Sequence, residues 1–161
     1  MKIIIGNDHG GYRLKLKILE YLSENGYDDV VNIGCDSEDI VRYPYYAAKV
    51  AHAVTTGKAD RGILICSTGL GMSILANRHK GARASLCTST FMAKMTRGHN
   101  DSNILCLGGK ITGEMEALDI LETWLEKEFE GGRHNISLGL VREAEETLST
   151  GDEWIPENPN L

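Results

Sequence analysis

No run of about eighteen apolar residues occurs in the sequence, which leaves no candidate membrane-spanning helix. Nor does Met1 open an apolar leader with a cleavage site. It runs straight into the strand-like KIIIG, so the expectation is a cytoplasmic chain without a signal peptide. A long basic tract is missing too. At a formal net charge of −6, nucleic acid is not an expected partner, and an anionic ligand would have to be met by local positive groups. The four cysteines, Cys35, Cys66, Cys87 and Cys106, stand far apart and show no CxxC or Cys/His ligand spacing. They offer neither a zinc site nor a disulfide framework and read as reduced thiols. Internal repeats and low-complexity segments are absent as well.

What remains is a chain of 161 residues, 42% hydrophobic, enough for one sizeable core in one domain. Short apolar runs alternate with helical spacing. Ile3 to Ile5 reads as a strand, and Leu14, Ile18, Leu19 and Leu22 form one face of a helix from Tyr12 to Asn25, stopped by Gly26. Val30 to Ile33, Gly62 to Ile65, Ala84 to Cys87 and Ile104 to Leu107 read as further strands. Between and after them, helices are expected at Tyr45 to Thr56, from Gly71 to Asn77, at Phe91 to Met95, at Glu114 to Glu128 and at Leu138 to Leu148. Strands apolar on both faces and separated by helices imply an α/β fold. The expected form is a three-layer, Rossmann-like or flavodoxin-like, mostly parallel sheet with helices on both faces. Residues 1–148 form the expected domain. Residues 149–161, STGDEWIPENPNL, are too rich in Gly, Pro and Asn for a regular element, although Trp154 and Ile155 are candidates to dock on the body or a partner.

In open α/β sheets ligands bind beyond the carboxyl ends of the strands, so the segments around those ends carry the candidates. They are GNDHGGY, CSTGLG, TRGHNDSN and EGGRH. Each has a bland reading: Asp8 as a helix cap, His9 and His99 as surface histidines, the Gly-Gly pairs as turns, Cys66 as a small buried residue. Placed together at one sheet edge they would form a site. Met92 and Met95 read as core or interface filler, His52 and His79 as solvated, and REAEETL as a solvated helix face.

Taken in order, GNDHGGYRLK, YPYYA, GILICSTGLGMSILANR, TRGHNDSNIL and FEGGRH resemble the ribose-5-phosphate isomerase B family, which also contains galactose-6-phosphate and allose-6-phosphate isomerases. The resemblance implies aldose–ketose isomerisation of a small-molecule sugar phosphate through an enediolate, with no metal and no cofactor. Such chemistry needs a base that moves a proton between neighbouring carbons and donors that hold the developing oxyanion. Cys66, at a strand end and before the helix near Gly71, sits where backbone N–H groups and the helix dipole would favour a thiolate, and is the candidate base. Ser67, Thr68, Gly69 and Gly71 belong to a loop of anion-hole composition. One branch of the family places a glutamate base where this chain has Met72, which cannot serve.

By resemblance His99 opens the sugar ring, Asp8 orients or polarises it, and Asn100 and Tyr43 hold the sugar. His9, Arg133 and His134 take the phosphate, with Lys110 in the place of a family arginine. Two departures leave the sugar open: Ser137 stands where a further family arginine is usual, and Arg42 replaces the aspartate of Asp-Tyr-Pro. Arg42 or Arg142 restores the lost charge, or the substrate is another sugar: a hexose 6-phosphate, a tetrose phosphate or a uronate. The alternatives from other classes are a nucleotide-binding α/β domain and an inactive, partner-binding paralogue. GNDHGG is not a dinucleotide fingerprint and CSTGLG lacks the Lys-Ser/Thr of a P-loop, which weighs against the first. The resemblance also implies a homodimer or dimer of dimers with sites at the interface. The expected layout gathers the DH, cysteine and HND segments at one sheet edge, while the long helix carries GGRH away onto a two-fold partner.

Overall fold

Apolar side chains on both faces drive the central strands into the middle of a three-layer α/β sandwich. The computed structural model describes residues 1–155. In chain order it contains β1 (Ile3–Asn7), a 3-10 turn (His9–Gly11), α1 (Tyr12–Glu24), β2 (Val30–Asn32), α2 (Tyr43–Thr55), β3 (Arg61–Cys66) and α3 (Leu70–Ala76). There follow β4 (Ala84–Leu86), α4 (Thr90–Asn100), β5 (Ile104–Gly108), α5 (Glu114–Glu126) and α6 (His134–Ser149). Alternate residues of a strand face opposite sides, and the core divides accordingly. Ile3, Ile5, Ile63, Ile65, Leu105 and Leu107 pack with buried residues of α1 and α5. Ile4, Leu64, Cys66, Ile104 and Cys106 pack with those of α2 and α3. Among the described residues no helix is long and apolar enough to cross a membrane.

All strand pairs are parallel, in the order β2-β1-β3-β5-β4. Relative to the flavodoxin-like order 2-1-3-4-5 the last two strands are exchanged, with β5 inserted between β3 and β4. Strand order changes direction between β1 and β3, so the crevice expected to receive a ligand opens beyond Asn7 and Cys66.

The register fixes the two ends of the sheet. Gly62 lies beside Ile104 at the amino edge, and Cys66 beside Gly108 at the carboxyl edge. Helix α4 leaves the carboxyl edge after β4 and returns the chain to the start of β5, so its last turn lies at the amino edge. Hydrogen bonds confirm the placement: Arg83, just before β4, donates to the Asp101 carbonyl at 2.8 Å, and the Asn103 N–H donates to the Arg83 carbonyl at 3.1 Å. Helix α5 makes a second return, and the Glu130 N–H beyond it donates to the Gly98 carbonyl at 3.0 Å.

Helix α6 starts at the same edge, four residues before the expected Leu138, and fully buries none of its residues, His134 being partly buried. It is tied to the body where the Glu145 carboxylate accepts the Gly81 N–H at 3.1 Å, while Ile136, Val141 and Leu148 stay exposed. The Trp154 indole N–H donates to Glu143 of α6 at 3.1 Å, whereas Ile155 is exposed. The rest of the expected tail, residues 156–161, lies outside the described residues.

Candidate active site

At the carboxyl edge the Cys66 side chain is buried at the end of β3, and its Sγ accepts the Gly69 N–H at 3.1 Å. The turn that brings this N–H back onto the sulfur needs a left-handed residue. Gly69 has φ +78°, and a Cβ there would lie 2.5 Å from Leu86. The Thr68 hydroxyl accepts the Leu70 N–H at 3.4 Å. Tyr43, the first residue of α2, packs its ring against Gly71, where a Cβ would come within 2.9 Å of it. Met72 is fully buried in the α2–α3 core layer and so takes no part in the crevice.

Asp8 follows β1, and its carboxylate accepts the Gly10 N–H at 2.9 Å, capping the 3-10 turn. His9 Nδ1 accepts the Val41 N–H at 3.3 Å. With that nitrogen engaged as an acceptor, Nε2 is the atom that carries a proton in the neutral ring and donates. The Gly109 N–H donates to the Cys66 carbonyl at 2.8 Å and the Lys110 N–H to the Ser67 carbonyl at 3.0 Å, which fastens Lys110 beside the cysteine loop. Two clefts share His9. One, of about 430 Å³, is walled by Asp8, Arg42, Tyr43 and Tyr45; the other, of about 350 Å³, includes Gly109 and Lys110. The other cysteines stand apart from this chemistry. Burial pushes the Cys87 thiol up to about 12 and the Cys106 thiol well above its ordinary value, so both are protonated at neutral pH.

At the amino edge the His99 ring stacks on the His134 ring, centroids 4.0 Å apart and planes 13° apart. The Glu130 carboxylate stands 3.7 Å from His99 Nε2 and 3.8 Å from His134 Nε2, and pairs with Lys127 at 2.9 Å. Lys127 holds Glu130 below the usual carboxylate range. Burial, then the neighbouring His99 and Arg133, push His134 below the usual imidazole value.

His99, Glu130 and His134 bring ligand atoms within 4.8 Å of one another. Near-parallel stacked rings, however, hold their in-plane lone pairs in separate, nearly parallel planes that do not converge on one ion, and Lys127 takes Oε1 of the carboxylate, leaving Oε2 toward the histidines. Beneath His99 and Asn100, Arg97 donates to Asp101 at 2.8 Å and to the Ser102 carbonyl at 2.7 Å, and Trp124 donates to the Ser102 hydroxyl at 2.7 Å. This buried support was missed in the sequence, where the i, i+4 spacing of Arg97 and Asp101 was its one signal.

The expected residues therefore fall into two groups. Asp8, His9, Tyr43, Cys66, Ser67, Thr68, Gly69, Gly71 and Lys110 gather at the carboxyl edge; His99, Asn100, Arg133 and His134 gather at the amino edge. The expectation that the DH, cysteine and HND segments share one edge is corrected. Within one chain Asp8 does not stand beside His99, because α4 crosses the full height of the sheet between the cysteine loop and the HND segment. GGRH accompanies His99 instead of leaving it.

Residues 3–140 match the ribose/galactose isomerase family. The chain belongs to this family. It is similar to ribose-5-phosphate isomerase B of Clostridium thermocellum, at 51% identity over 92% of this chain and 99% of the other, with a TM-score of 0.90. It is also similar to ribose-5-phosphate isomerase B of Escherichia coli strain K12, 44% identical over 83% of this chain and 89% of the relative. A D-erythrulose-4-phosphate isomerase of Pectobacterium atrosepticum is 40% identical over 82% of this chain and 87% of its own length.

Proposed function

We propose that this chain interconverts an aldose phosphate and its ketose, ribose 5-phosphate and ribulose 5-phosphate first among them, at sites assembled from two copies of the chain. The observation that carries the reading is the Cys66–Gly69 turn, a thiol and a backbone donor in a loop that packs on Tyr43 and is bonded to Gly109 and Lys110, residues that line the two clefts sharing His9. The names of the Clostridium and Escherichia relatives support the choice of sugar.

With the open-chain sugar in the crevice, Cys66 Sγ as thiolate takes the C2 proton. The electron pair passes to the C1 carbonyl oxygen, and the enediolate forms against the N–H groups of the 67–71 loop. The thiol then returns its proton to C1 while the O2 hydroxyl proton passes to O1. A C2 carbonyl results, with no net gain or loss of atoms or electrons. His9 Nε2–H and Lys110 face the anionic end in the same chain. Ring opening falls to His99, which relays a proton from the anomeric hydroxyl to the ring oxygen. Since His99, Arg133 and His134 lie at the opposite sheet edge, they are supplied by a second copy whose amino edge meets this carboxyl edge. A two-fold contact of that kind creates two equivalent sites.

A second reading keeps the reaction and changes the sugar. Arg42 lines the Tyr43 cleft, Ser137 stands near the start of α6, and one relative is named for a tetrose phosphate. Purified chain assayed on a panel of pentose, tetrose and hexose phosphates and free uronates decides between them. Preferred turnover of ribose 5-phosphate supports the first reading, a preference elsewhere moves the substrate, and absence of isomerisation on every sugar refutes the function.

A further inference from the structure

The cleft beside Lys110 contains a guanidinium to which the isomerase chemistry assigns no task. Arg13, in the first turn of α1, lines it together with His9, Gly10, Glu38, Gly109 and Lys110. The carboxylate of Glu38 takes one edge of Arg13 as a fork: Oε1 accepts from Nε at 3.0 Å and Oε2 from Nη2 at 2.9 Å. A guanidinium has five N–H donors, and this fork uses two. Among the described residues Nη1 has no hydrogen-bond partner, so the outer edge of Arg13 stays open while Glu38 fixes its plane. Arg13 holds Glu38 below its usual range, with Lys110 contributing, so the carboxylate is ionised and Lys110 is within its electrostatic reach. Together Arg13, Lys110 and Glu38 leave one net positive charge in a cleft fastened to Cys66 and Ser67 by the Gly109 and Lys110 N–H groups.

We propose that Arg13 is a specificity-determining ligand for the dianionic phosphate of the substrate, resting on the isomerase reading above. It grips phosphate oxygens through its free edge while Glu38 holds the guanidinium flat. The donors present are the outer edge of Arg13, the Lys110 ammonium and His9 Nε2–H. Three separate donor groups around one cleft, two of them cationic, suit the three terminal oxygens and double charge of a phosphate monoester. As an ion pair alone, Arg13–Glu38 would have little purpose. Both side chains are mostly exposed, and such pairs contribute little to stability, so Arg13 can be replaced without unfolding the chain.

The test measures binding of inorganic phosphate by calorimetry, and steady-state kinetics on ribose 5-phosphate and on unphosphorylated ribose, for the wild-type chain, Arg13→Met and Arg13→Lys. Arg13→Met should bind phosphate about tenfold more weakly and raise KM for ribose 5-phosphate by a similar factor, the effect of losing one charge-assisted contact. Its kcat, its melting temperature and any turnover of ribose should stay at wild-type values, with Arg13→Lys intermediate. Unchanged phosphate affinity in Arg13→Met overturns the proposal, as does an equal loss on both sugars. Phosphate binding that depends on Arg13 in a chain that isomerises no sugar would uphold the anion site and refute the isomerase reading instead.

Discussion

Cys66 differs from the other three cysteines in its surroundings more than in its burial. Its sulfur accepts the Gly69 N–H in the loop that packs on Tyr43, whereas Cys87 and Cys106 are thiols raised by burial inside the core. Cys66→Ala or Cys66→Ser should lower turnover about 100-fold or more, the scale of a lost proton-transfer group. The melting temperature should barely move, and near wild-type activity in Cys66→Ala would remove it from the mechanism. A second residue-scale expectation concerns acid. Because burial holds His134 below its ordinary value, the unfolded chain takes up that proton first as pH falls. Stability contributed by the neutral ring is therefore present above about pH 6.5 and lost as pH drops below it. Glu130, held low by Lys127, adds a loss of the same sign at more acidic pH. Melting temperatures recorded from pH 7 to pH 5 should show His134→Gln losing less stability than wild type over the first part of that range; identical curves would contradict the assignment.

Element by element, the sequence was most legible where one local force decides. Gly26, read as a helix stop, carries a positive φ of 78°, and Gly57, just after α2, carries one of 73°. Strands were placed within a residue or two, because continuous apolar runs between glycines have few other fates. Helix α4 was read as five residues and runs to eleven, since its second half, TRGHN, is polar and is held by the Arg97–Asp101–Trp124 support and not by an apolar stripe. That support makes a prediction. Trp124 is fully buried and also donates to Ser102, so Trp124→Ala should cost about 3–5 kcal/mol in denaturant unfolding, as large aromatic truncations do. A loss under about 1 kcal/mol would show that the α5 face can collapse onto the gap.

For the whole molecule, the consequence of an all-parallel sheet, in which α4 and α5 return the chain to the amino edge, is that two halves of the chemistry face away from each other. An α6 that fully buries no residue and leaves Ile136, Val141 and Leu148 exposed extends from the His99 edge, where a second copy is proposed to meet it. Complementation reads this arrangement directly. Inactive Cys66→Ala and inactive His99→Asn chains, mixed and allowed to exchange subunits, should recover a quarter or so of wild-type activity, because a mixed two-fold dimer has one site with both residues intact. No recovery after exchange has been verified by mass would place each site within one chain and overturn the shared arrangement. Arg133→Ala in place of His99→Asn should behave in the same way.

By itself the sequence determined the α/β class, the glycine turn after Cys66 and the family, because apolar periodicity, glycine punctuation and a run of ordered motifs are all written in neighbouring residues. Only the tertiary structure decided which of those motifs share space. Strand direction is set by packing between segments far apart in the chain: with β4 and β5 both parallel to β3, α4 has to return from the carboxyl edge to the amino edge, which leaves His99 and Asn100 at the opposite edge from Cys66. The same holds for Arg13 and Glu38, two ordinary surface charges 25 positions apart that become a fork over a cleft once the loop after β2 folds back on α1. No local pattern marks such a pair, since its meaning depends on a contact and not on either residue.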